Sequence, residues 1–144
     1  MRSLLDVNVL IALLDSGHDL HDRAHLWWES EHEVLWASCP MTENAVVRIM
    51  GNPTYHSQRR FSIPTVRKQF VEFARRTDHT LFSDDISILD SSLIDHDFIL
   101  GPMQITDVYL LALAVNNGAR MVTLDSRISL AAVRSARAEN LVMI

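Results

Sequence analysis

Short apolar runs alternate along this chain with stretches of helical period, and most runs end at a turn or an acid. Residues 3–5 read as a short buried strand. Val7, Leu10, Ile11 and Leu14 then recur at helical spacing and predict a helix from Val7 to Asp15, ended by Ser16-Gly17. A second helix is expected from Leu20 to about Glu31, with Leu20, Ala24, Trp27 and Trp28 inward. Val34 to Ala37 reads as a strand closed off by Pro40. Thr42 is the expected N-cap of the next helix, which turns Ala45, Val46, Ile49 and Met50 inward and stops before Gly51. Residues 51–62 read as a polar loop. Pro64 suits the first turn of a further helix, buried through Val66, Phe70, Phe73 and Ala74. Residues 80–104 fit strand or helix equally. Thr106 is the expected cap of an apolar helix to Asn117, with Gly118 as its stop. Arg120 to Leu124 reads as a strand, Arg127 to Ala138 as mostly helix, and Leu141 to Ile144 as an edge strand. Strands alternating with helices predict an α/β fold, a three-layer α/β/α sandwich around a mostly parallel sheet, in one domain over residues 1–144.

Composition narrows the class. Hydrophobic residues make up 48% and charged residues 22%, a globular balance. Only four Gly and four Pro are present, so no linker or low-complexity stretch is expected. No apolar run is long enough for a bilayer, and Met1 to Asp6 meets an acid too early for a signal peptide. The single Cys39 rules out an internal disulfide and a cysteine-rich zinc site, so a cytoplasmic location is expected. The net charge of −5 does not advertise nucleic-acid binding. Cations are nevertheless concentrated in Arg59, Arg60, Arg67, Lys68, Arg75 and Arg76, opposed there only by Glu72. That segment is either a solvated helix face or a contact for a polyanion.

Four acids carry the candidate chemistry: Asp6, Glu43, Asp107 and Asp125. Each stands where an apolar run gives way to a turn or a helix start. In an open parallel sheet the carboxyl ends of the strands share one edge, where ligands bind. An acid at a helix start is often only a cap. Here the positions follow separate strands, and Asp6 and Asp107 lie among apolar residues, where a lone carboxylate is costly. No Lys or Arg flanks them at helical spacing except Arg48 after Glu43. A divalent cation would meet the electrostatic need. His18, His21 and His25 read as a packing helix's polar face, Trp27, Trp28 and Trp36 as core, and Asp84-Asp85 and Asp95-His96-Asp97 as turn residues.

The stretches Leu5-Asp6-Val7-Asn8-Val9-Leu10, Thr42-Glu43-Asn44 with Arg48, Ile105 to Ala114, and Val122-Thr123-Leu124-Asp125 together resemble the PIN domain, and more closely the VapC-type ribonuclease toxins of toxin–antitoxin pairs. The resemblance implies that Asp6, Glu43, Asp107 and Asp125 form the acidic site. By the same resemblance, Asn8 is expected near the metal, Thr106 is expected to brace the site through its hydroxyl, and Thr123 to do so behind Asp125. It also implies one or two Mg²⁺ or Mn²⁺ ions that activate water for in-line attack on an RNA phosphodiester, leaving 5′-phosphate products. Gly101-Pro102-Met103-Gln104 lacks the basic residue many relatives carry before the Thr-Asp pair. A homodimer and a small VapB-type antitoxin partner are implied as well.

The leading expectation is a metal-dependent endoribonuclease that binds RNA through Arg48, Arg59, Arg60, Arg67 and Lys68. An RNA- or protein-binding module with an inactive site is the second reading. A haloacid dehalogenase-like phosphatase is disfavoured, because Asn8 stands where that chemistry wants a second Asp and Lys68 is the only lysine.

Overall fold

The computed structural model describes residues 1–144. Five parallel strands, β1 (Ser3–Leu5), β2 (Leu35–Ser38), β3 (Asp78–Leu81), β4 (Arg120–Thr123) and β5 (Leu141–Met143), lie in the order β3-β2-β1-β4-β5. Strand β1 occupies the centre, with Leu4 in register with Ala37 on one side and Met121 on the other. Period-two alternation then splits the core into two layers. Leu4, Ala37 and Met121 pack with α5 (Ile105–Asn116) on one face. Leu5, Trp36 and Val122 pack with α1 (Val7–Leu14), α2 (His21–Ser30), α3 (Pro40–Met50) and α4 (Ile63–Arg76) on the other. The three-layer α/β/α arrangement and its parallel sheet follow the sequence pattern. No helix is long and apolar enough to cross a membrane.

Local differences from the sequence reading have local causes. Helix α3 starts at Pro40, whose missing N–H costs nothing in a first turn; Cys39 is the N-cap, and Thr42 sits three residues in. There the Thr42 hydroxyl accepts the Cys39 N–H at 2.9 Å, tying the turn from inside. Helix α5 starts at Ile105 behind Gln104, so Thr106 is not its cap. Leu20 is exposed at the head of α2 rather than inward. Strand β3 has no hydrophobic alternation; backbone pairing with β2 makes it a strand at the sheet edge. Between β3 and α5 the chain forms turns and two short 3₁₀ turns, His96–Phe98 and Pro102–Gln104.

Residues 127–138 are not an α-helix. Their backbone pairs with the segment before them: the Asp95 N–H donates to Ala132 O, and the Arg134 N–H to Leu93 O, both at 2.9 Å. Leu130–Ala132 forms a 3₁₀ turn, and a second, Ala138–Asn140, begins at the end of the segment. Ile128, Ala132 and Val133 close the α5 layer of the core from this irregular path. Gly118 ends α5 with φ +62°, a left-handed conformation that a side chain would strain.

Candidate active site

Strand β1 delivers Asp6 to the carboxyl edge of the sheet at its most central point. The Asp6 N–H still belongs to the sheet, donating to Val122 O at 2.9 Å. Its carboxylate already caps α1: Oδ1 accepts the Val7 N–H at 2.7 Å. Oδ2 accepts the Thr123 hydroxyl, also at 2.7 Å, from the end of β4. Asp6 is only 5% exposed.

Thr123 is itself buried, and its oxygen accepts the Asp125 N–H at 3.0 Å. Asn8 completes the clasp: its Oδ1 accepts the Leu124 N–H at 3.3 Å, and its Nδ2 lies 3.5 Å from the Thr123 hydroxyl. These contacts knit the ends of β1 and β4, 117 residues apart, into one unit.

Asp107, in the first turn of α5, faces Asp6 and Asp125 across this edge. Burial, reinforced by the charges of Asp6 and Asp125, pushes its carboxyl up to about 6. Burial likewise pushes Asp6 up, against the pull of its Thr123 and Val7 hydrogen bonds, with the Asp125 charge adding to the rise. Three aspartates therefore repel one another across the edge.

Asp125 alone has a cationic partner, which the sequence reading missed. Arg127 donates through Nε to Oδ1 at 3.0 Å and through Nη2 to Oδ2 at 2.9 Å, and its backbone N–H reaches Oδ1 at 2.9 Å. These bonds hold the Asp125 carboxyl below the usual range. The signal was present as Asp-x-Arg, a spacing that lets the guanidinium fold back on the carboxylate.

Glu43 does not join the three aspartates. Its Oε1 accepts the Ser38 hydroxyl at 2.7 Å. Ser38 Oγ lies 2.8 Å from His79 Nε2, so a serine that gives its proton to Glu43 accepts the histidine's N–H. Glu43 lines a separate cavity of about 330 Å³ with Phe70, Arg75 and His79. Thr106 is exposed and makes no side-chain hydrogen bond, so its hydroxyl braces nothing in this arrangement.

The cations expected to meet RNA separate into groups. Arg48 is exposed, forms no ion pair, and lines a cleft of about 410 Å³ with Asp6, Asn8, His18, Tyr55 and Asp107. Arg59 is instead structural, its guanidinium bonded to the buried Asp15 and, at 3.1 Å, to Gly17 O. Arg60 donates to Pro53 O. Arg67 and Lys68 are exposed on α4 and line neither cavity that contains Asp107.

The donor set fits a hard divalent cation. It is all oxygen, Asp107 makes no hydrogen bond, and Asp6 accepts only one per oxygen, leaving lone pairs free. No three His, Cys, Asp or Glu side chains stand close enough to hold an ion together. Mg²⁺ commonly takes only one or two carboxylates and fills its octahedron with water, which Asp6 and Asp107 can match. His21 and His25, with ring centroids 4.3 Å apart, lack a third ligand, and His21 Nδ1 is taken up by Ala12 O at 2.7 Å.

The repulsion makes stability depend on pH. The folded-state pKa of Asp107 is above its unfolded value, so the stability tied to this group is full below about pH 4. It is lost as pH rises through about 6. The melting temperature of protein held in chelator is expected to fall between pH 5 and pH 7.5, and Mg²⁺ to recover the loss chiefly at the upper end. Scanning calorimetry checks this, and a Mg²⁺ effect equal at both pH values would contradict it.

No family model matches the chain. Ribonuclease VapC44 of Mycobacterium tuberculosis is 43% identical over 145 residues, spanning 98% of each chain. Ribonuclease VapC38 of the same organism is 36% identical over 124 residues, covering 86% of this chain and 85% of that one. Among solved structures, VapBC2 of Rickettsia felis bound to a promoter DNA fragment superposes with TM-score 0.57 at 13% identity, over 100% of this chain and 98% of that one. VapC20 of M. tuberculosis, a sarcin–ricin loop cleaving toxin, superposes with TM-score 0.54 at 14% identity, over 94% and 98%. These two show the shared fold; the near full-length identity to the ribonucleases shows that this chain belongs to the VapC family of PIN-domain proteins.

Proposed function

We propose that the protein is a metal-dependent endoribonuclease, the toxin of a VapBC pair. The observation that carries this reading is the convergence of Asp6, Asp107 and Asp125 on the carboxyl edge of the sheet in a chain 43% identical to a named ribonuclease. Asp6 and Asp107 hold the ion in this reading, and Asp125 stands behind Arg127. A bound Mg²⁺ or Mn²⁺ supplies a lowered pKa for water and neutralises charge on the phosphodiester.

The chain's own residues do the positioning. Thr123 and the α1 N-terminus fix both Asp6 oxygens, so the carboxylate cannot rotate away. Asn8 keeps the turn carrying Asp125 against β1. Arg48, unpaired in the adjoining cleft, binds an RNA phosphate as a charge-assisted contact. Glu43, held by Ser38, is not assigned to the ion.

An antitoxin of VapB type is the proposed protein partner, supported by the solved VapBC relative, and a second copy of this chain is proposed beside it. A cationic side chain from the antitoxin, placed among the aspartates, would do electrostatically what the metal does.

Purified protein is expected to cut RNA with Mg²⁺ or Mn²⁺ and to stop when chelator is added. Sustained cleavage in chelator would remove the metal from the reading. RNA binding without cleavage in either condition would favour a binding module.

A further inference from the structure

The two cavities that share Asp107 differ in how their arginines are held. In the cleft beside Asp6, Arg48 is free. In the other, of about 260 Å³ and lined by Gln104, Asp107, Asp125 and Arg127, the arginine is bound to an acid of the site itself. Resting on the metal-dependent reading, we propose that Arg127 exchanges partners: it closes on Asp125 while no divalent ion is present, and turns to an RNA phosphate once the ion draws on Asp125.

The contacts support an exchange rather than a fixed strut. Nε and Nη2 engage one carboxylate oxygen each, so the fork occupies both oxygens that a cation would draw on. Yet the Arg127 side chain is 81% exposed, and Asp125 is its only side-chain partner. An exposed pair of this kind is weak and can be traded at little cost. The backbone beneath it is better held. Gln104 donates to Arg127 O, and its own Oε1 accepts the Leu100 N–H at 3.2 Å. A fixed base under an exposed guanidinium keeps the charge at the cavity wherever its tip points.

The chemistry of the two partners favours the exchange. A divalent ion near Asp6 and Asp107 competes for the negative charge of Asp125 and repels Arg127. A phosphodiester offers paired oxygens that match the guanidinium fork as a carboxylate does. One residue then shields the acids at rest and contacts substrate at work.

Charge and fork can be separated by substitution. Mn²⁺ binding to the full-length protein, without RNA, is measured by titration calorimetry for the parent, Arg127→Lys and Arg127→Gln. Lysine keeps the charge but loses the bidentate grip. Both variants are expected to bind Mn²⁺ about three- to fivefold more tightly than the parent, the span of an exposed pair. The KM for RNA at saturating Mn²⁺ is expected to rise in both, more in the glutamine variant, with their melting temperatures close to the parent's. Arg127→Lys binding Mn²⁺ like the parent would overturn the exchange, because only the general charge would then matter. Weaker Mn²⁺ binding in both variants would overturn it too, showing Arg127 to be a strut. A parent that binds no Mn²⁺ would instead strike the metal reading itself, and this proposal with it.

Discussion

Replacing Asp107 by asparagine is expected to lower RNA cleavage at least about a hundredfold while making the protein more stable above pH 6. The two effects share one cause. Asp107 is held among other aspartates without a hydrogen bond, and its carboxyl titrates near 6. Removing its charge removes both a ligand of the proposed cation and a source of repulsion. The stability gain should appear at pH 7.5 and vanish at pH 4, where the parent's carboxyl is already protonated. Asparagine is nearly isosteric, so the packing of α5, which carries it, is expected to stay the same. Cleavage assays and thermal melts at both pH values test the pair. A variant that cuts RNA normally would remove Asp107 from the chemistry. A variant less stable at both pH values would make it an ordinary helix-start acid.

The second large effect lies away from the chemistry. Asp15, at the C-terminus of α1, is 2% exposed and binds three groups at once. Tyr55 Oη donates to Oδ2 at 2.6 Å, the Gly17 N–H donates to Oδ1 at 3.0 Å, and the Arg59 guanidinium closes on Oδ1. Gly17 leaves room for that guanidinium; a Cβ there would fall 2.6 Å from Arg59 Nη1. Asp15→Ala strands the tyrosine hydroxyl and the arginine together, at a cost of about 3 kcal/mol. In a domain of this size that is a fall in melting temperature on the order of 10 °C. Burial works against the Asp15 charge, and the Tyr55, Gly17 and Arg59 bonds outweigh it, so its carboxyl lies below the usual range. That stability is present above about pH 4 and lost as pH falls through the lower, folded-state pKa. Denaturant midpoints at neutral pH and at pH 3 check both statements; a loss below about 1 kcal/mol would mean the cluster relaxes around the gap. Arg59→Glu should accordingly act through stability, with any loss of RNA binding secondary to it.

Much of this molecule could be read from residue order. Strands β1, β2 and β4 and helices α1, α4 and α5 announce themselves through period and punctuation, because each buries a continuous face. Strand β3 does not, since three of its four side chains are exposed and only backbone pairing makes it a strand. Residues 127–138 mislead for the opposite reason. Their apolar spacing suits a helix, but their backbone finds partners in residues 93–95. At the site, Asp6, Asp107 and Asp125 were legible because each follows or opens a strong element. The orientation of Glu43 was not, because it depends on Ser38 and His79, the latter brought in by the unreadable β3. Arg59 looked like an RNA contact because its partner lies 44 positions earlier.

In the proposed toxin, the clasp between Asp6 and Thr123 sets when the protein can become dangerous during its own synthesis. The central strand forms from residues 3–5, yet one of its two neighbours, β4, starts at Arg120. A ribosome-bound chain carrying the first hundred residues has Asp6 but neither Asp107 nor the hydroxyl that orients Asp6. Such long-range pairing also slows folding, since distant segments must meet before either is rewarded. With these residues as the proposed active site, nuclease competence arrives all at once and late, after nearly the whole chain has emerged. An inhibitor made alongside it gains that interval, and fragments from interrupted translation carry no assembled site.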